Sequence, residues 1–157
     1  MCKEEKPYFL AFAETWLKEN IKEAEYDIER YSHVASHRKN REGGGVIIYI
    51  DNDATYKPLI SISNEMCSIV AIYLEELNLI VFMIYRPPPN NNSTYQGEKL
   101  EKTFNDIVTS NINKVIGKFH APTPDILLAG DFNFPKALWD AGMGIVQTDN
   151  TCNRKSL

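Results

Sequence analysis

Two apolar runs, Ser68–Leu74 and Leu79–Tyr85, stand four residues apart, joined by Glu75-Glu76-Leu77-Asn78. Runs this short and rich in β-branched residues, at this spacing, read as the two strands of a hairpin. Neither run alternates apolar with polar residues, so both faces of both strands are expected to be covered. That excludes a sheet with one wet face and predicts a layered sandwich. The second run ends in Tyr85-Arg86-Pro87-Pro88-Pro89, where the prolines remove ladder donors and force an extended exit. Asn90-Asn91-Asn92-Ser93 then forms a polar loop.

Other elements group around this hairpin. Tyr8-Phe9-Leu10-Ala11-Phe12 reads as a strand that runs into Glu14. Lys18 to Arg30 is rich in Glu and Lys and reads as a short helix or an irregular turn, and Ser32 to Arg38 as extended chain. Gly43-Gly44-Gly45 opens the β-branched run Val46-Ile47-Ile48-Tyr49-Ile50. A phosphate-cradling P-loop needs the reverse order, strand then glycines then Lys-Ser/Thr and helix, so the triplet is read as a tight strand entry using backbone conformations closed to other residues. From Glu98 to Phe119, Leu100, Phe104, Ile107, Val108, Ile112, Val115, Ile116 and Phe119 follow the spacing of one helical face. His120-Ala121-Pro122-Thr123-Pro124 breaks that helix. Asp125-Ile126-Leu127-Leu128-Ala129-Gly130-Asp131 follows as a buried strand, and beyond Asn133 only Trp139 stands out as an anchor.

The 157 residues are enough for one domain with a sizeable core. No apolar run approaches the roughly 20 residues of a membrane span, and Met1-Cys2-Lys3-Glu4-Glu5-Lys6 lacks a signal peptide's apolar stretch, so the expected location is intracellular, nucleus or cytoplasm. Cys2, Cys67 and Cys152 contain no CxxC pair and read as free thiols, without a disulfide framework or zinc site. A net charge of -4 argues against gripping nucleic acid by broad surface charge. The local cationic segment Arg38-Lys39-Asn40-Arg41, with Arg30 and His37 close by, reads as a solvated loop, and His33, His37 and His120 as surface or loop histidines.

Three strands thus end in polar groups: Glu14, Tyr85, and the pair Asp131 and Asn133. Asp131 and Asn133 stand two apart, so in extended geometry both leave one face while Phe132 turns to the core. Should these ends meet, they offer two carboxylates, a phenol and an amide. Such a set suits metal-assisted phosphoester hydrolysis, in which a hard cation offsets phosphate charge and a carboxylate orients water.

Glu14-Thr15-Trp16-Leu17, Arg41-Glu42-Gly43-Gly44-Gly45-Val46, Tyr85-Arg86-Pro87-Pro88 and Gly130-Asp131-Phe132-Asn133 occur in this order. Together they resemble the endonuclease/exonuclease/phosphatase superfamily, and within it the apurinic-like endonuclease domain of non-LTR (LINE-type) retrotransposon polyproteins. The resemblance spans about Lys6 to Trp139 and implies an α/β fold, an incomplete four-layer α/β sandwich of DNase I-like type. It implies that Glu14 is the ligand of a magnesium ion, with manganese as a substitute, that Tyr85 faces the scissile phosphate, that Asp131 positions or activates the attacking water, and that Asn133 binds a phosphate oxygen. The glycine triplet is structural under this reading, and Arg41 with the cationic segment touches DNA. Trp16 and Trp139 are expected to be core anchors.

The departures bear on activity. Members of the family begin with a further strand carrying a catalytic Asn and end with strands carrying an Asp and an Asp-His pair. None of His33, His37 and His120 follows Asp131, so none takes the place of that histidine. The expectation is one partial domain over residues 1–157 whose DNA-nicking activity is impaired, since general acid/base groups contribute about 10²–10⁴-fold. Sheet edges left open by missing strands favour pairing with another chain. Two rival readings are a catalytically inactive retroelement remnant and a phosphatase or phospholipid phosphodiesterase of the same superfamily. No polybasic or amphipathic membrane stretch supports a lipid substrate.

Overall fold

The structure is a computed structural model and describes residues 6–18, 20–38, 43–88, 98–134, 137–140 and 145–148, the backbone alone for 98–100, 137–140 and 145–148. It is a mixed α/β fold. Strands β1 (Phe9–Ala13), β2 (Tyr31–Ser36) and β3 (Val46–Asp51) form one antiparallel sheet in the order β1-β3-β2. Strands β4 (Tyr56–Ser63), β5 (Ser68–Leu74), β6 (Leu79–Tyr85) and β7 (Asp125–Asp131) form a second sheet in that order, with β7 parallel to β6. Helix α1 (Glu98–Ile116) supplies the crossover between β6 and β7, as parallel neighbours require.

The expected hairpin is present, with Leu74 opposite Leu79 and Ser68 opposite Tyr85. Its double apolar faces are used as the sequence implies. Val70, Ile72, Leu74, Val81, Met83 and Tyr85 pack against Val46, Ile48 and Ile50 of the first sheet. The intervening residues Ile69, Ala71, Ile80, Phe82 and Ile84 pack on the other face with Phe104, Val108 and Val115 of α1. Sheet, sheet and helix are therefore stacked through two apolar layers. Two serines tie the sheets at one edge: Ser36 donates to the Ile62 carbonyl (2.5 Å) and Ser61 to the Ala35 carbonyl (2.7 Å). Among the described residues no helix is long and apolar enough to cross a membrane.

Several elements differ from expectation. Strand β7 is not buried: Ile126, Leu127 and Leu128 are 40–44% exposed, because β6 is its only partner among the described strands. An apolar run encodes a strand but not its place in the sheet order. Strand β4 escaped the sequence reading, since Pro58 breaks its register with β5 and serines alternate with Ile60 and Ile62. Between Lys18 and Arg30, in line with the short helix or irregular turn expected there, the described residues form a short 3-10 turn, Glu23–Glu25. Beyond Asn133, where no regular element was expected, β8 (Ala137–Asp140) and β9 (Ile145–Thr148) pair as a separate hairpin with Trp139 opposite Val146. The polar loop at 90–93, Cys2 and Cys152 lie outside the described residues.

Candidate active site

The C-terminal ends of β1, β6 and β7 converge. Tyr85 and Asp131 are paired by the parallel register, the last residues of β6 and β7. Glu14 follows β1 directly, and its carboxylate lies close enough to the Tyr85 phenol to act on its titration. Burial pushes the Tyr85 phenol up to about 12, with the Glu14 hydrogen bond and the charges of Glu14 and Asp131 acting in the same direction and Arg38 against them. Tyr85 is thus protonated at neutral pH, a donor rather than a phenolate.

The turn after β1 and the glycine triplet build the rim. Glu14 and Trp16 adopt left-handed backbone conformations (φ 56° and 57°), and the Trp16 amide donates to the Gly44 carbonyl at 2.9 Å. Glu14 Oε2 accepts from the Trp16 indole Nε1 (2.6 Å) and from the Gly44 amide (3.4 Å). Gly43, Gly44 and Gly45 all have positive φ (76°, 79° and 86°), as expected of a strand entry closed to other residues. At Gly44 a Cβ would lie 2.5 Å from Tyr85 Cε1 and 2.6 Å from Arg38 Cδ, so only glycine lets the backbone pass the phenol. Non-glycine residues in such conformations cost about 1–3 kcal/mol each and gather where surrounding structure holds them.

On the far side, the β7 exit is held by Arg86. Its guanidinium is buried, 4.1 Å from the Phe134 ring centroid and 5.3 Å from that of Phe104, and its Nη1 donates to the carbonyls of Phe132 and Asn133 (both 3.5 Å). The Arg86 amide donates to the Asp131 carbonyl (2.8 Å). Gly130 is required by close approach, since a Cβ there would collide with the Ile84 carbonyl.

The sequence-predicted residues fall into groups. Glu14, Tyr85 and Asp131 come together. Asn133 lies beside them but is not extended: its φ is 45°, its amide N–H donates to Asp131 Oδ1 (3.2 Å), and its Nδ2 donates to the Arg86 carbonyl (2.7 Å). The expectation that Asn133 and Asp131 leave one extended face therefore fails, because the strand ends at Asp131. Phe132 packs in the helix-side core as expected. Arg41 lies outside the described residues.

Three further readings are corrected. Trp16 is no core anchor; it is 58% exposed, because its left-handed turn points it off the sheet rim. The Trp139 side chain lies outside what is described. Arg38 is not simply a solvated loop residue, since its guanidinium sits 6.0 Å from the Tyr85 ring centroid. His33 is on β2 with its side chain only 9% exposed, flanked by Tyr26 and Tyr49 at ring-centroid distances of 5.1 and 5.7 Å. Its Nε2 faces Glu23 Oε1 (3.2 Å) and its Nδ1 faces Asp27 Oδ1 (3.4 Å), which fastens the β1–β2 connection to the outer face of the first sheet. No regular strand or helix spacing signals these contacts.

No protein-family model matches the chain, and no curated protein matches it.

Proposed function

We propose that this chain carries the active site of a magnesium-dependent phosphodiester hydrolase that nicks DNA, of the endonuclease/exonuclease/phosphatase type and related to the endonucleases of non-LTR retrotransposons. The observation that carries the reading is the convergence of Glu14, Tyr85 and Asp131, which come from strands β1, β6 and β7. The donors fit a hard cation, being carboxylate oxygens with a phenol beside them. Glu14 would hold the ion, and the ion when bound would offset charge on the phosphate.

The chain's own groups have distinct tasks in this reading. Tyr85, kept protonated, donates to a phosphate oxygen. Asp131, a carboxylate at the strand end, orients water and takes its proton. Arg38 adds positive charge at the rim, where phosphate would approach. Asn133, bonded to the Arg86 carbonyl in this conformation, holds the Asp131 turn, and must exchange that bond to reach a phosphate oxygen. The stacking of sheet on sheet and helix on sheet is compatible with a layered sandwich of DNase I-like type.

The test is nicking of supercoiled plasmid by the purified chain in magnesium and in EDTA, beside Glu14→Ala and Asp131→Ala. Magnesium-dependent nicking lost in both variants is the expected result. An equal background in every sample, from protein shown to be folded, would overturn the reading and leave an inactive remnant.

A further inference from the structure

Trp16 is costly to place and belongs to neither apolar core. A bulky residue with φ 57° is held in a region that L-residues avoid, yet the indole is 58% exposed. It is nevertheless fixed from three directions. Its amide donates to the Gly44 carbonyl (2.9 Å), its indole N–H donates to Glu14 (2.6 Å), and Gly43 lies against the benzo edge, where a Cβ would come within 3.5 Å of Cζ2.

The neighbours explain what such a ring could meet. A Cβ added at Gly43 would come into van der Waals contact with the Trp16 ring, and one at the next residue, Gly44, would collide with both Tyr85 and Arg38. One glycine turn therefore gathers a rigid exposed aromatic surface, a guanidinium and the candidate phosphate site. A flat apolar ring beside cationic and metal-binding groups is complementary to a nucleotide, whose base stacks while its phosphate is held by charge. A phosphoester without an aromatic base would leave the indole unused.

We infer that Trp16 is a stacking platform for an unpaired or extruded nucleobase adjoining the phosphate held at Glu14 and Tyr85. The inference rests on the hydrolase reading above and deepens it: the preferred substrate presents an exposed base rather than an intact duplex. Through its N–H, Trp16 also orients the Glu14 carboxylate, so the ring and the N–H have separable effects.

A short single-stranded oligodeoxynucleotide, and a duplex of the same sequence, are titrated in calcium against the full chain, Trp16→Phe and Trp16→Ala, each matched to the parent by far-UV circular dichroism. The single strand is expected to quench parental tryptophan emission, and Trp16→Ala to bind it about ten-fold more weakly with duplex binding little changed. Trp16→Phe keeps a stacking ring and most of the affinity, while its loss of the N–H shows as a higher magnesium requirement in plasmid nicking. Unchanged single-strand affinity in Trp16→Ala, with nicking intact in the parent, overturns the inference and spares the hydrolase reading. No binding of either oligonucleotide and no nicking by the parent overturns both.

Discussion

The β5–β6 hairpin and the rim at its end are built by opposite rules. In the hairpin the two strands pair in unbroken register from Ser68–Tyr85 to Leu74–Leu79, with both faces buried by apolar neighbours. At the rim, a few residues away, Glu14, Trp16, Gly43, Gly44, Gly45 and Asn133 all adopt positive φ, and the contacts are polar. Tyr85 belongs to both regions, its ring packed between the sheets and its phenol within the electrostatic reach of Glu14. The difference teaches where precision comes from: an unstrained, doubly buried strand fixes one member of the site, and strained turns bring the others to it.

If this division is right, substitutions in the two regions separate stability from activity. Phe82→Ala empties a fully buried site between β6 and α1 and is expected to cost about 3–5 kcal/mol in denaturant unfolding, while the fraction still folded keeps its nicking rate. Gly44→Ala strains the backbone and drives a methyl group into Tyr85, so about 1–3 kcal/mol is expected together with loss of nicking. Normal nicking by the Gly44→Ala variant would break the claimed link between the glycine turn and the phenol. Tyr85→Phe removes only the hydroxyl; its expected stability cost is within about 1.5 kcal/mol, and its nicking rate falls by a larger factor than its folding constant.

The smallest expected effect lies at the opposite end of the hairpin. Glu76 accepts hydrogen bonds from the Thr55 amide (2.9 Å) and the Tyr8 hydroxyl (2.8 Å), which pull its carboxyl down to about 2. Because the folded value is depressed, the contribution is complete above the ordinary carboxylate range near about 4.3 and is lost as pH falls toward about 2. Glu76→Gln should flatten that part of the acid-unfolding curve and leave neutral-pH nicking unchanged. A change in nicking would mean that the two ends of the hairpin are not independent.

The same contrast accounts for what could be read from the sequence. The hairpin and α1 were legible because their signals are local: apolar residues at successive positions in one, and at three-and-four spacing in the other. The polar groups at the ends of β1, β6 and β7 were legible as candidates, but their meeting depends on sheet order, which spacing does not carry. For that reason the apolar run of β7 read as buried although Ile126, Leu127 and Leu128 are exposed at an edge. Asn133 was misplaced because period two was extended past the end of the strand. Trp16 was assigned to the core by residue type, and only the left-handed turn turns it outward. The burial of Arg86 between Phe104 and Phe134 depends on the helix folding back over β6, a contact with no local signature.

The proposal stands on a cation held at Glu14, beside Tyr85 and Asp131. The most direct measurement is paramagnetic broadening of amide resonances by substoichiometric manganese in the full chain. The carboxylates and imidazole of Glu23, Asp27 and His33 provide an internal comparison, since their ligand atoms lie within 4.8 Å of one another. Broadening centred on Glu14, Tyr85 and Asp131, and abolished by Glu14→Ala, is the predicted result. Broadening centred on Glu23, Asp27 and His33, or spread evenly over the acidic surface, would contradict the account.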